Sequence, residues 1–206
     1  FMEDKNYHDD LSHIRSMMER SSRFLSLSGL SGVFAGITAL VGSAYAYYLM
    51  QREGISYFDG QHISFTKGLI TELVITGLAI LLVAITLGYV FTVRKSKKNQ
   101  VSMWDATTKK LLVAFVIPLI TGGLVCLALL YHDMLVFVAP MTLIFYGLAL
   151  VSAERYTLSD VKYLGFCEIL LGVLSLFFLG WGFLAWIFGF GVLHIVYGLV
   201  MHRKYH

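Results

Sequence analysis

Charge, proline and cysteine are what this chain has least of. Of 206 residues only 14% are Asp, Glu, Lys or Arg, and there are two prolines and two cysteines. A soluble domain carries about 25% charged residues, so the shortfall excludes an ordinary water-soluble domain. Cys126 and Cys167 lie on well-separated apolar segments without the spacing of a disulfide framework. Both read as free, buried thiols and imply nothing about redox compartment. Pro118 and Pro140 fall inside apolar runs, where a proline kinks a helix and frees a carbonyl. Also missing are a P-loop, a GxSxG elbow, a paired-carboxylate motif and a dinucleotide fingerprint. No enzyme activity and no catalytic residue are therefore expected. HExxH and Cys/His sets are absent too, so no metal and no cofactor are expected.

What is present is apolar: 57% of the residues are hydrophobic. Six windows are long enough to cross a hydrocarbon core of about 30 Å, which takes roughly 20 helical residues. They run over 24–50, 68–92, 111–131, 134–153, 161–180 and 182–201. The expected fold is an all-α, polytopic membrane bundle, with six transmembrane helices in antiparallel hairpins. The first window follows some twenty polar residues instead of a short basic head, so it is expected to stay as a membrane helix and not to be cleaved. Phe1 precedes Met2, which is the expected native start.

Basic residues set orientation, because Lys and Arg resist translocation. Fourteen of the sixteen fall on one side, and only Arg52 and Lys67 on the other. This places both termini in the cytoplasm, with a cell inner membrane as the expected location. The spacing of Leu11, Ile14, Met18 and Leu25 predicts a cytoplasmic amphipathic helix over 2–23, and 202–206 are expected to form a short cytoplasmic tail. The loop RKSKKNQ is expected to anchor topology by attraction to anionic lipid. Membrane lipids, anionic lipid at the cytoplasmic face and a second copy of the chain are the expected partners. A lone basic loop is too weak a signal for nucleic acid, which is not expected. On the outer side, His62, Asp59, His132 and Asp133 are candidates for a weak metal site, but the plainer reading has Asp133 capping the fourth span.

Ionisable groups at membrane depth are functional candidates by default, since burying them is costly. Glu72 lies only about 6 Å inside the outer end of its span at 1.5 Å per residue. It is an outer-interface polar group within reach of Lys67 or Arg52. Glu168 and His194 differ. Trp181, in the GWG turn, has Glu168 thirteen residues before it and His194 thirteen after. In an antiparallel hairpin that gives both one depth, roughly 20 Å from the turn. Each sits in a matching frame, Gly165-x-x-Glu168-x-x-x-Gly172 and Gly191-x-x-His194-x-x-x-Gly198. The spacing predicts that the two glycine stripes pack on each other with a direct or water-mediated Glu168–His194 contact between them. Such a pair either pins helix register or serves as a proton-titrating or substrate-binding centre. Gly32 and Gly36, in GVFAG, mark a further helix-packing face on the first span.

The stretches AERYTLSDVKYLGFCEILLG (153–172) and GFGVLHIVYGLVMHRKY (189–205) resemble a family of small, uncharacterised bacterial multi-pass membrane proteins. The resemblance implies a six-helix membrane protein and no particular activity. Two functions follow as expectations. The first is a non-catalytic interaction, scaffold or stress-associated component of the membrane. The alternative is a small, proton-linked transporter or an oligomeric channel, with Glu168 and His194 as its intramembrane pair.

Overall fold

The computed structural model describes residues 29–57, 65–98 and 105–205, and among them every regular element is helical. The expected helix over 2–23, together with Asp59 and His62, lies outside the described residues. We number six helices: α1 Gly29–Arg52, α2 Lys67–Lys98, α3 Ala106–Tyr131, α4 Leu135–Tyr156, α5 Val161–Phe177 and α6 Leu179–Lys204. All except α5 are long and apolar enough to cross a membrane, and α5 has 17 residues. Helix α2 continues to Lys98, six residues past the apolar window, because Arg and Lys are good helix formers. Helix α6 is composite. It opens with a 3₁₀ turn at Leu179–Trp181, contains a π-helical segment at Ile187–Leu193, and is α-helical from His194.

Two helices stop in the same way. At the end of α1, Ile55 N–H donates to Met50 C=O (2.9 Å) and Gly54 N–H to Gln51 C=O (3.0 Å). Gly54 has φ +67°. This is a Schellman cap, in which a left-handed residue turns the chain and satisfies helix-end carbonyls. Ile55 then packs against the cluster of Leu49, Met50 and Leu69. At the end of α3, Met134 N–H bonds Leu129 C=O, Asp133 N–H bonds Leu130 C=O, and Asp133 has φ +58°. Asp133 therefore closes α3, and it does not cap the next helix as expected. A residue needed in the left-handed turn cannot also adopt the extended backbone of an N-cap.

Helix α3 begins at an N-cap, Asp105, whose carboxylate accepts from Thr108 N–H at 2.7 Å. Pro140 falls in the first turn of the α-helical part of α4, so it ends no helix there. Having no N–H, it leaves Val136 C=O unclaimed by the helix, and Tyr57 Oη donates to that carbonyl at 2.9 Å. At the far end of the bundle Asp160 ties α5 to α6. It accepts from Lys204 Nζ through both oxygens (3.0 and 2.8 Å) and from Tyr205 Oη (2.8 Å), and the Lys204 bond holds its carboxyl below the usual range. Cys126 is buried, but Cys167 is exposed, which corrects the expectation of two buried thiols. It precedes Glu168, and a residue one step along a helix is turned about 100° away from its neighbour's face.

Helix α2 packs on α1, α1 on α6, α6 on α4 and α5, α5 on α4, and α4 on α3. Small residues make these contacts close. A Cβ on Gly147 would lie 2.5 Å from Gly165 O, and one on Gly165 2.8 Å from Gly147 O. Outward, Leu82, Leu124, Leu127 and Ile85 are more than half exposed. Single apolar groups on so large a scale need an apolar solvent.

Gly147→Val forces a side chain into the Gly165 backbone and should destabilise by about 1–3 kcal/mol. Gly77→Ala, where a Cβ meets nothing within 4 Å, should leave the melting temperature in detergent unchanged or raised. Equal losses for both would refute the packing assignment. Asp105→Ala should cost about 1 kcal/mol. The Thr108 N–H holds the Asp105 carboxyl below its ordinary pKa. Its contribution is therefore complete above the unfolded-state pKa and disappears as pH falls through the lower folded one. The difference in melting temperature between wild type and D105A should shrink as the medium is acidified through that window.

Candidate functional site

The candidate site forms where α4, α5 and α6 meet, and the π-helical run IFGFGVL organises it. A π turn widens the helix and leaves its carbonyls poorly matched to the α-helical ladder. His194, the first residue after the run, exploits this. Its Nδ1 lies 2.9 Å from Gly189 O, five residues back in the same helix. A carbonyl only accepts, so Nδ1 carries the hydrogen and donates it. In the uncharged ring Nε2 then accepts from Tyr146 Oη of α4 at 2.8 Å. The imidazole thus has both nitrogens engaged, one inside its helix and one across to a neighbour.

Glu168 enters from α5. Its Oε1 lies 3.4 Å from His194 Nδ1, and its side chain is wholly buried. Because the Nδ1 hydrogen points to Gly189 O, this contact is not a hydrogen bond. Neither carboxyl oxygen has a hydrogen-bond partner among the described residues. Gly189 makes room for the group: a Cβ there would collide with Glu168 Oε2 and come within 2.7 Å of Leu143 Cδ2. Around the imidazole is an aromatic wall. Phe190 stacks on His194 with ring centres 5.6 Å apart, Tyr146 lies 5.0 Å from Phe190, and Trp186 lies 4.9 Å from Phe190.

Glu168 and His194 are therefore adjacent, whereas the glycine stripes do not meet each other. Gly165 and Gly172 face α4, against Gly147 and against Pro140 and Ile144. Gly191 and Gly198 face α1, where Gly191 sits under Leu40 and Gly198 beside Val33 and Gly29. Gly32 lies against Gly198, and Gly36 against Gly191 and Ile195. The reason is angular. At about 100° per residue Glu168 is turned some 40–60° from the Gly165–Gly172 line. One helix can thus offer its glycines to α4 and its carboxylate to α6. Glu72 is far from this cluster and pairs with Arg52, Oε2 to Nη2 at 2.7 Å, with both side chains over 40% exposed.

Two members of the site escaped the sequence reading. Tyr146 is the only tyrosine in the 134–153 window, a signal that a hydroxyl has a buried partner. Gly189 stands off the Gly191–Gly198 spacing, five residues before His194, and that extra glycine is the mark of the widened turn. No group of three or more His, Cys, Asp or Glu among the described residues is placed to hold a metal ion. Comparison of the chain with protein-family models, with curated proteins and with solved structures gives no match.

Chemically the arrangement joins three helices through one imidazole. It offers no opening: His194 is 5% exposed and Glu168 0%. Gly189→Ala should destabilise by about 1–3 kcal/mol through overpacking. Most of that loss should vanish when Glu168→Ala is present as well, measured as a double-mutant cycle on thermal unfolding in detergent. Simple additivity of the two substitutions would refute the Glu168–Gly189 contact.

Proposed function

We propose that this chain is a non-catalytic integral membrane protein of the cell inner membrane, a scaffold or interaction component and not an enzyme. In this reading six helices span the bilayer as antiparallel hairpins, with α5 as the shortest span and both termini cytoplasmic. Seventeen residues lie at the low end of the length that crosses. The one-sided distribution of Lys and Arg supports the orientation. The resemblance of 153–172 and 189–205 to small bacterial multi-pass proteins supports the span number and the location.

The observation that carries the proposal is the closure of the polar cluster. Tyr146 is bonded to His194 and His194 to the Gly189 carbonyl, Glu168 lies wholly buried beside the imidazole without a hydrogen bond, and the described cavity, between α1 and α6, touches none of the three. Among the described residues Glu168 and His194 are shut off from the surface, which leaves a substrate or ion no direct access to them. Interhelical hydrogen bonds of this sort contribute about 0.6 kcal/mol each, which suits a register pin. The flanking helices support an interaction role: none of the apolar window of α2 is buried within the chain, and only 11% of that of α3. A second copy of the chain fits such faces, and anionic lipid fits the basic end of α2.

One observation favours the alternative, a proton-linked transporter or oligomeric channel, namely that the Glu168 carboxyl oxygens lack hydrogen-bond partners. Proteoliposome proton flux decides between them. The scaffold reading expects flux no higher than in empty liposomes for wild type, Glu168→Gln and His194→Gln, with lower melting temperatures for the two variants. Wild-type flux abolished by Glu168→Gln in a protein that still folds would overturn it.

A further inference from the structure

Helices α1 and α6 meet closely at one end only. From Gly29 to Gly36 their backbones touch through glycine, with Gly36 against Gly191 O and Gly198 against Gly29 O, each leaving 2.6 Å for a Cβ. Beyond Leu40 bulky side chains take over and the helices part. The result is a wedge-shaped cavity of about 310 Å³, walled by Leu40, Ala44 and Tyr47 on α1 and by Phe183, Leu184 and Ile187 on α6. Ala44 and Leu184 are exposed, so the wedge opens sideways from the bundle. Its top is roofed by Ile55–Tyr57, the segment that the Schellman turn at Gly54 folds back. Tyr57 is fixed there by its bond to Val136 O and by packing on Phe183 at 5.6 Å.

Shape and chemistry choose the occupant. The twelve residues from Leu40 to Gln51 extend about 16 Å, eleven steps of 1.5 Å. A helix about 10 Å across fills roughly 1,250 Å³ over that length, several times the volume of the wedge. Around Leu40 and Ala44 the lining is apolar but for Ser43, whose Oγ is already bonded to Ala39 O at 2.7 Å, and the next hydroxyl, that of Tyr47, lies one turn on. Water needs two to four polar partners. A single flexible hydrocarbon chain meets these conditions, and a wedge that opens sideways on a membrane-crossing helix opens toward lipid. Gln51 and Ser56 are the polar groups at the wide end. Just outside, Arg52 is shared by two carboxylates, Glu72 at 2.7 Å and Glu53 at 3.5 Å. Among the described residues the cations at this end, Arg52 and Lys67, balance the carboxylates, Glu53 and Glu72, so the rim carries no net charge and suits a zwitterionic headgroup better than an anionic one.

We propose that the α1–α6 wedge binds one acyl chain of a phospholipid with a zwitterionic, amine-bearing headgroup, in the leaflet at the Arg52 end. The site rests on the membrane location of the helices and not on the scaffold role, so the flux experiment does not bear on it. The test uses the full chain in vesicles of phosphatidylethanolamine or phosphatidylglycerol, each doped with the same lipid carrying a photoreactive group in its acyl chain. Adducts are mapped by mass spectrometry. Adducts in 40–57 and 180–187 should exceed those on the exposed faces of α2 and α3 several-fold with the ethanolamine probe, and fall with the glycerol probe. Ala44→Trp, or Leu184→Trp if the first melts early, fills the slot and should remove the excess several-fold while adducts on α2 and α3 persist. Glu53→Gln should narrow the preference between the headgroups. Labelling that is uniform over all outward faces, or an excess that survives in a folded Trp variant, would overturn the site. An equal or greater excess with phosphatidylglycerol would overturn the headgroup assignment.

Discussion

In an apolar solvent two helices gain nothing by hiding side chains from water, so they hold together through close backbone approach and shared polar groups. Everything distinctive about this bundle follows from how it divides those two means. Glycine supplies the first at two seams, Gly147 against Gly165 between α4 and α5, and Gly36 and Gly198 between α1 and α6. Neither seam joins one pair to the other. That task is shared by the polar cluster, in which His194 of α6 reaches Tyr146 of α4 and lies beside Glu168 of α5, by the Asp160 bonds to Lys204 and Tyr205, and by the Tyr57 bond to Val136 O.

The π-helical segment makes this division possible. A regular α-helix from Gly182 to Lys204 would pass all its interior carbonyls along the backbone ladder. Within the widened segment Ile187–Leu193, Gly189 O accepts from the imidazole, which fixes the ring hydrogen on Nδ1 and turns Nε2 toward Tyr146. The same glycine, having no side chain, lets the Glu168 carboxyl lie against the α6 backbone. One residue thus orients the imidazole and admits the carboxylate. Rotating any of the three helices about its axis breaks at least one of these relations, so the cluster specifies register more than it adds stability.

The class of fold was legible because hydrophobic length and the scarcity of charge leave few alternatives in 206 residues. The proximity of Glu168 and His194 was legible too, since equal distance from a tight turn is a statement about depth, and helical rise converts one into the other. What each glycine stripe faces was not. Depth says nothing about angle round the axis, and the 40–60° between Glu168 and its glycines selects a different neighbour for each. Asp133 shows the same limit at shorter range. An aspartate between two helices suits the start of the second as well as the end of the first, and only the left-handed backbone decides for the end of α3. Tyr146 lies in another hairpin from His194, so no counting along the chain connects them.

The sealed cluster and the lateral wedge are neighbours on the same helix. Ile187 forms part of the wedge wall and is the first residue of the π-helical segment, two positions before Gly189. Glycine could not have closed the α1–α6 seam over its whole length without bringing the wedge side chains of α1 against this segment, as Leu40 already meets Gly191. By parting beyond Leu40, the two helices leave the widened turn its room on one flank while Leu143 and Glu168 crowd it on the other. An apolar chain in the wedge completes the packing of that flank with atoms that compete for no hydrogen bond. This keeps Gly189 O for His194, and so a slot open to lipid is compatible with the buried polar cluster beside it.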